Sequence, residues 1–284
     1  MLYGLGAALG WGLSDITVAV VSRRIGSFFS VVIAQLAGLI LFAVLLVVAR
    51  PPMPEPGALR LTVLLAAGIS GALSYMAFYR GLELGPIALV SPVVAGYAAI
   101  VVVLALVVLH ERVAGVALAG TGLTLAGAVL ASTDIAALRA RVRRERGGVF
   151  YALLAMVGFG LGAFVIGRVS KDVGWFEAVL VTRLGAAATL GMVLASRKDR
   201  TFLGSGSRNL VPVAVAGVLD ILGFASFARG SQLGHEAITA AASAAYPLIP
   251  VVAGVVHLGE RPSAPKWAGV ALVIAGLLLL ALGR

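Results

Sequence analysis

Ten apolar runs, separated by short polar or proline-rich connections, limit the folds that this chain can adopt. Each run has about 20 residues, and an α-helix of that length rises about 30 Å, the thickness of the hydrocarbon core of a bilayer. We therefore predict an all-α integral membrane protein with ten transmembrane helices. They are expected at about 2–21, 28–49, 61–82, 87–108, 113–131, 148–167, 176–195, 211–231, 236–257 and 265–282.

The composition argues against a soluble enzyme or a nucleic-acid-binding protein. Only 12% of the residues are charged and 61% are hydrophobic, which leaves too little polar surface to coat a globule. The net charge of +10 comes from basic residues between the runs, where they anchor loops, so we predict no nucleic-acid partner. The sequence has no cysteine, and its three histidines show no H-E-x-x-H spacing. We therefore predict no metal site and no cofactor.

The second half of the sequence repeats the first. Arg80-Gly81-Leu82 matches Arg229-Gly230-Ser231, which lies 149 residues further on. The same spacing aligns Tyr97 with Tyr246, Glu111-Arg112 with Glu260-Arg261, Gly120 with Gly269, and Gly127 with Gly276. Near the start of each half the spacing is 148, which aligns Gly10-Trp11-Gly12 with Gly158-Phe159-Gly160, Gly26 with Gly174, and Gln35 with Arg183. A register held across several helices indicates an internal duplication.

Each half has five predicted helices, and this odd number sets the relation between the halves. Successive helices alternate in direction, so the second half must enter the membrane from the opposite side. We predict two inverted five-helix repeats at 2–132 and 148–283, joined by a basic linker at 133–147. Inverted repeats are typical of secondary transporters, which bind substrate between them. The alternative is that duplication only builds a larger bundle.

The duplicated motifs resemble the paired EamA-like domains of the drug/metabolite transporter superfamily. The resemblance rests on Arg80-Gly81-Leu82 through Pro86, on Ser91-Pro92, and on Glu111-Arg112 with Gly120 and Gly127. The second copies are Arg229-Gly230 and Glu260-Arg261 with Gly269 and Gly276. It implies export or exchange of small metabolites such as amino acids, or of drugs, without ATP. The second half departs from the pattern, because Ala241 stands where the first half has Pro92, and prolines follow at 247 and 250. We therefore expect the two fourth helices to bend at different depths.

Small residues and charged helix ends have structural explanations as well as functional ones. Gly6-x-x-x-Gly10 and Gly158-x-x-x-Gly162 fit the spacing that lets helices pack closely in lipid. The Glu-Arg pairs at 111–112 and 260–261 could hold a helix–helix turn, or could gate a pathway by exchanging partners.

Four polar side chains lie well inside apolar runs, where ionisable groups are costly and usually functional. They are Asp15, Gln35, Arg183 and Asp220. Arginine beside carboxylates could bind a zwitterion or exchange a proton. We predict Arg183, Asp15 and Gln35 as substrate-binding residues, with Gln35 across the pathway from Arg183, and Asp220 as a proton-coupling candidate. The alternative is a buried ion pair that only fixes helix register.

Aromatic residues complete the predicted site. Tyr97 and Tyr246 are repeat equivalents, so we predict both as substrate-binding residues in a central cavity. Trp11, Tyr75 and Tyr79 could line the cavity as well, although an aromatic residue in a membrane helix more often serves packing or anchoring.

The sequence therefore predicts a secondary transporter, not an enzyme, that exports small metabolites such as amino acids. One alternative is an exporter of lipophilic cationic drugs, which two buried carboxylates would attract. Another is a non-transporting membrane scaffold or sensor. The predicted partners are a small-molecule substrate, the lipid bilayer of a bacterial inner membrane, and protons as a candidate coupling ion.

The orientation in the membrane has two conflicting indications. Connections after odd-numbered helices carry 14 Lys and Arg residues against seven on the other side, which places the linker in the cytoplasm. The family resemblance implies instead that both termini are cytoplasmic. We favour the family layout, because the charge asymmetry arises only from the linker and the second half.

Overall fold

A computed structural model describes residues 1–53, 57–85, 87–111, 113–132, 146–196, 207–233, 236–258 and 263–282. The described chain forms twelve helices and no strand. They are α1 (Leu2–Ile25), α2 (Ser27–Ala49), α3 (Ala58–Leu84), α4 (Ile87–Ala95), α5 (Tyr97–Val107), α6 (Gly115–Ser132), α7 (Arg146–Val173), α8 (Trp175–Ser196), α9 (Ser207–Gln232), α10 (Glu236–Ser243), α11 (Leu248–Leu258) and α12 (Ala264–Leu282).

These helices make ten membrane-crossing units, as the sequence predicts. Nine helical segments in the described residues are long and apolar enough to cross a bilayer, and α6 adds a shorter apolar helix at Gly115–Ala131. The fourth unit consists of α4 and α5, and the ninth of α10 and α11. Large apolar side chains such as Val48 (76% exposed) and Leu278 (61% exposed) lie on the outside, where lipid would cover them. The prediction of an all-α membrane protein is confirmed.

Alternation of the helices defines two faces of the molecule. We call the face that holds Met1, Arg50, Glu111, Gly174 and Leu233 the terminal face. The opposite face, which holds the ends of α1, α3, α6 and α8, is called the linker face, because it carries the ends that flank residues 133–145.

The fifth helices of the two repeats, α6 and α12, run antiparallel to each other. Gly120 lies against Gly276 and Gly127 lies against Gly269, so residue numbers rise along one helix while they fall along the other. The repeat register pairs Gly120 with Gly269 and Gly127 with Gly276, so one contact becomes the other when the repeats are exchanged. Equivalent helices that lie antiparallel about a two-fold axis are inverted, as predicted.

The same exchange relates the helices that surround the molecular centre. α1 packs along α9, and its repeat equivalent α7 packs along α3. A Cβ at Gly10 would lie 2.6 Å from the Leu219 carbonyl oxygen, and Gly158 lies directly against Ser74. These small residues allow the close helix approach that their spacing predicts. Gly162 differs, because a Cβ there would meet nothing within 4 Å.

A single glycine separates the first two helices of each repeat. Gly26 has φ of 86° and its equivalent Gly174 has φ of 91°. A side chain disfavours this conformation, so glycine is the residue that permits the sharp reversal.

The fourth helices are interrupted at equivalent positions, so the prediction of bends at different depths is wrong. Pro92 lies inside α4 without ending it. Two tight backbone bonds recur at equivalent positions, Gly96 N to Val93 O and Ala99 N to Gly96 O in the first repeat, and Ala245 N to Ala242 O and Leu248 N to Ala245 O in the second. The second repeat adds Tyr246 N to Ser243 O and Ile249 N to Tyr246 O. The break therefore follows the packing shared by the repeats and not the positions of the prolines.

Three of the four residues in the predicted Glu-Arg pairs, Arg112, Glu260 and Arg261, lie outside the described residues. Most of the predicted linker lies outside them too.

The α6–α12 contact predicts a position-specific cost of adding one methyl group. In Gly127→Ala the Cβ would lie 2.6 Å from the Val273 backbone nitrogen, so the helices must separate. We expect a loss of about 1–3 kcal/mol in the free energy of unfolding, typical of overpacking. The matched control is Gly122→Ala on the same helix, where a Cβ would meet nothing within 4 Å. Thermal unfolding in detergent should leave the control unchanged, and equal melting of the two variants would contradict this packing.

Candidate functional site

A cavity of about 470 Å³ of empty space lies between the two repeats, near the middle of the helices. Seven of its eleven lining residues are aromatic, and two are carboxylates. The lining consists of Trp11, Asp15, Tyr75, Phe78, Val94, Tyr97, Phe159, Ala163, Asp220, Phe224 and Tyr246. We call it the central cavity.

The central cavity lies on the axis that exchanges the repeats. Eight of its lining residues form four repeat-equivalent pairs, namely Trp11 with Phe159, Asp15 with Ala163, Tyr75 with Phe224, and Tyr97 with Tyr246. Both repeats therefore contribute the same helix positions to one shared space. The aromatic character is common to both halves, whereas each carboxylate occurs in one half only.

Arg183 is the centre of a buried polar network beside this cavity. It is 4% exposed, and its Nη2 donates to Asp220 Oδ2 at 2.9 Å. The Tyr75 hydroxyl donates to Asp220 Oδ1 at 2.7 Å, and the guanidinium lies 4.7 Å from the ring centroid of Phe224 and 5.3 Å from that of Tyr75. The charges of Arg183 and Asp220 thus neutralise each other inside the membrane-spanning region.

Gln35 lies against Arg183 and lines neither this cavity nor the smaller one beside it. Its Oε1 accepts a hydrogen bond from Arg183 Nη1. The expectation that these two repeat equivalents lie across a pathway from each other is therefore wrong. Both sit close to the two-fold axis, and that is where equivalent residues meet directly.

Asp15 is the second buried carboxylate, at 5% exposure, and its partners differ from those of Asp220. Its Oδ2 accepts a hydrogen bond of 2.9 Å from the Ser91 hydroxyl. Within the described part of the chain, no basic side chain forms an ion pair with it. When it is ionised, Asp15 gives the central cavity one uncompensated negative charge.

Tyr97 and Tyr246 connect the interrupted fourth helices across the axis. The Tyr97 hydroxyl bonds to the Ser243 hydroxyl, and the Tyr246 hydroxyl donates to the Ser91 carbonyl oxygen at 2.7 Å. Their rings lie 5.9 Å and 6.4 Å from the Trp11 ring, edge to face. Each tyrosine thus anchors one fourth helix to the other while its ring lines the cavity.

A smaller cavity of about 380 Å³ adjoins the central one. The two share Tyr75, Phe159, Ala163 and Phe224, and Arg183 lines only the smaller one. Gly162 belongs to this smaller cavity, which explains why it does not pack against another helix.

The sequence predicts most of the polar residues of the site but not several of their neighbours. Ser91, Ser243, Phe159 and Phe224 were not predicted as site residues. For the two phenylalanines the repeat register was a usable signal, because they are the equivalents of Trp11 and Tyr75. The described residues contain no cluster of three or more His, Asp or Glu side chains that could hold a metal ion.

Fold and site together define a polytopic membrane protein with a polar and aromatic cavity between two inverted repeats. The chain belongs to the EamA-like transporter family, whose family model matches residues 1–133 and 146–282. The predicted resemblance to a transporter with two EamA domains is thereby confirmed. This family places the chain among the membrane transporters of the drug/metabolite superfamily.

Two further likenesses agree with this architecture. An uncharacterized protein of Methanocaldococcus jannaschii is 24% identical over 136 residues, which are 48% of this chain and 97% of that protein. The aligned length is close to that of one repeat. A crystal structure described only as that of a protein superposes with a TM-score of 0.78 at 18% identity, over 100% of this chain and 96% of the other. At this identity the likeness concerns the fold alone.

The Arg183–Asp220 pair predicts a large stability effect that a second substitution reverses. Arg183→Gln leaves a buried carboxylate without its cation, which should cost about 3–5 kcal/mol in the free energy of unfolding. Adding Asp220→Asn should restore most of the loss. The control is Arg168→Gln, which removes an exposed pair with Asp172 worth about 1 kcal/mol or less. In thermal unfolding, equal effects of Arg183→Gln and Arg168→Gln would contradict the pairing.

Proposed function

We propose that this chain is a secondary exporter of small organic cations that have an aromatic or apolar body, and that Asp15 binds their ammonium group. The carrying observation is that Asp15 lies in an aromatic cavity without an ion-pair partner among the described residues. Transport without ATP is supported by the family and by a sequence that has no phosphate-binding loop. The outward direction rests on the family resemblance.

Electrostatics favour a cation in this cavity. An ionised carboxylate away from water is costly unless a positive charge lies beside it, and a bound ammonium group would supply that charge. Aromatic faces attract cations as well, by about 2 kcal/mol where the cation is desolvated. Trp11 and Phe159, at equivalent positions, offer such faces on the lining that holds Asp15.

The construction of the cavity also supports substrate binding. The interrupted fourth helices flank it through Tyr97 and Tyr246, and discontinuous helices at a repeat interface are typical of transporter sites. The inverted repeats would allow the two faces to open in turn around this site.

Amino acids are the second candidate substrates, and one observation favours them. The smaller cavity adjoins the central one and is lined by Arg183, which could meet a substrate carboxylate while Asp15 meets the amine. Against this, the Arg183 guanidinium already bonds to Asp220 and Gln35. A substrate carboxylate would have to displace one of these partners, so we rank the cation first.

A matched pair of ligands separates the two candidates. Phenethylamine and phenylalanine differ by one carboxylate, so the cation proposal expects stabilisation by the amine and none by the amino acid. A ligand at 100 times its dissociation constant adds about 2.7 kcal/mol to the free energy of unfolding. Thermal unfolding of the purified protein with each compound measures this.

The variants assign the effect to Asp15. Asp15→Asn should abolish stabilisation by phenethylamine, whereas Asp172→Asn, which removes a carboxylate outside the cavity, should retain it. Stabilisation by phenylalanine alone would favour the amino acid candidate. Absence of stabilisation by either compound, together with absence of flux in proteoliposomes, would favour a scaffold or sensor.

A further inference from the structure

Glu236 is a buried carboxylate at the terminal face that the central site does not use. It begins α10, is 0% exposed, and lines neither cavity. Neither of its oxygens has a hydrogen-bond partner among the described residues. Asp15 and Asp220 each accept at least one hydrogen bond, so Glu236 differs from both of them.

The surrounding helices make room for this carboxylate in one repeat only. A Cβ at Gly167, on α7, would lie 2.6 Å from Glu236 Cδ, so the absence of a side chain there accommodates the acid. The equivalent positions in the first repeat are Ile87 and Ala19, which are both apolar. The carboxylate therefore occurs in the second repeat only, at the terminal face, and is not one of the features that the two repeats share.

The charged groups around Glu236 offer weak compensation. Lys171 on α7 is the nearest, with its Nζ 3.7 Å from Oε2, longer than the roughly 2.7–2.9 Å of a charge-assisted hydrogen bond. Other ionisable groups are found on the described elements packed around it at this face. They are Arg168 on α7, which pairs with Asp172, His110 and Glu111 after α5, Arg229 on α9, which donates to Gln232, and Tyr3 and the amino terminus at α1. α6 carries no charged residue, and the described part of α12 carries only Lys266, on the linker face.

We propose that Glu236 is a proton-binding site, separate from the substrate cavity, that couples opening of the terminal face to protons. An ionised carboxylate buried without a hydrogen-bond donor is costly, and binding one proton converts it into a neutral acid. Opening of this face would admit water, which stabilises the ionised carboxylate, so the proton would leave to solvent. The coupling role rests on the proposed transport function, whereas proton binding at Glu236 does not.

This assignment differs from the sequence prediction of Asp220 as the proton carrier. Arg183 and Tyr75 both donate to Asp220, and such donors favour the ionised carboxylate. Glu236 has no comparable donor among the described residues.

Infrared spectroscopy of the purified protein in lipid tests proton binding directly. At neutral pH the wild type should show the C=O band of a protonated carboxylic acid that is missing in Glu236→Gln. Glu83→Gln is the control, because Glu83 is half-buried, pairs with Arg80 at 2.9 Å and accepts from the Ser27 N–H at 3.3 Å. It should leave the acid band in place. If the wild type and Glu236→Gln have the same acid band, the proposal is wrong.

A second variant keeps the test valid if Glu236→Gln does not fold. Lys171 is partly exposed, and Lys171→Gln removes the nearest positive charge. The acid band should then persist to higher pH than in the wild type, because a cation no longer favours the ionised form. An unchanged titration of the band would contradict the proposal.

The coupling role is tested in proteoliposomes with phenethylamine. Glu236→Gln should lose the acceleration of transport by a pH gradient and retain exchange of substrate at equal pH on both sides. Acceleration equal to that of the wild type would refute coupling through Glu236. If the wild type carries no phenethylamine, the proposed substrate class fails, and the infrared result still decides whether Glu236 holds a proton.

Discussion

The buried pair of Arg183 and Asp220 determines the electrostatic character of the whole centre of the molecule. A charge in the hydrocarbon region needs water or a partner, and here the partner is on the neighbouring helix, 2.9 Å away. Tyr75 on α3 and Gln35 on α2 join the pair, so the network ties together helices from both repeats. Its consequence reaches beyond stability. It uses the one arginine that is buried among the described residues, and it leaves Asp15 as the uncompensated charge of the central cavity.

The inverted duplication explains why a cavity can exist at this place. Along the axis, small residues such as Gly120 and Gly127 bring α6 and α12 into close contact. Near Asp15 the residues at repeat-equivalent positions are large and aromatic instead, and their rings line an open space. The aromatic lining is common to both repeats. The acidic residues Asp15, Asp220 and Glu236 each occur in one repeat only. We infer that the residues that carry function in this chain are those that differ between the two repeats.

Much of this architecture could be predicted from the sequence, because hydrophobic length and repeat register are local or periodic signals. The odd number of helices in each half was sufficient to predict inversion. Glycine spacing predicted the close contacts at Gly6, Gly10 and Gly158 but not the open position of Gly162. The bends of the fourth helices were mispredicted, since the prolines suggested different depths whereas shared packing places both breaks in register.

The pairing of the site residues could not be obtained in the same way. Nothing in the sequence indicates that Arg183 meets Asp220 and not Asp15, because that choice depends on helix rotation about the axis. Ser91 was missed as the partner of Asp15 for the same reason. Glu236 was missed because an acid in the first turn of a helix usually needs no special explanation, and only its complete burial sets it apart.

A structure determined with bound phenethylamine tests the central claim most directly. The account predicts the ammonium group within hydrogen-bonding distance of the Asp15 carboxylate, with the phenyl ring between Trp11 and Phe159 and the Arg183–Asp220 pair intact. An amine located elsewhere, or a ligand that breaks the Arg183–Asp220 pair and leaves Asp15 with Ser91 alone, would contradict it.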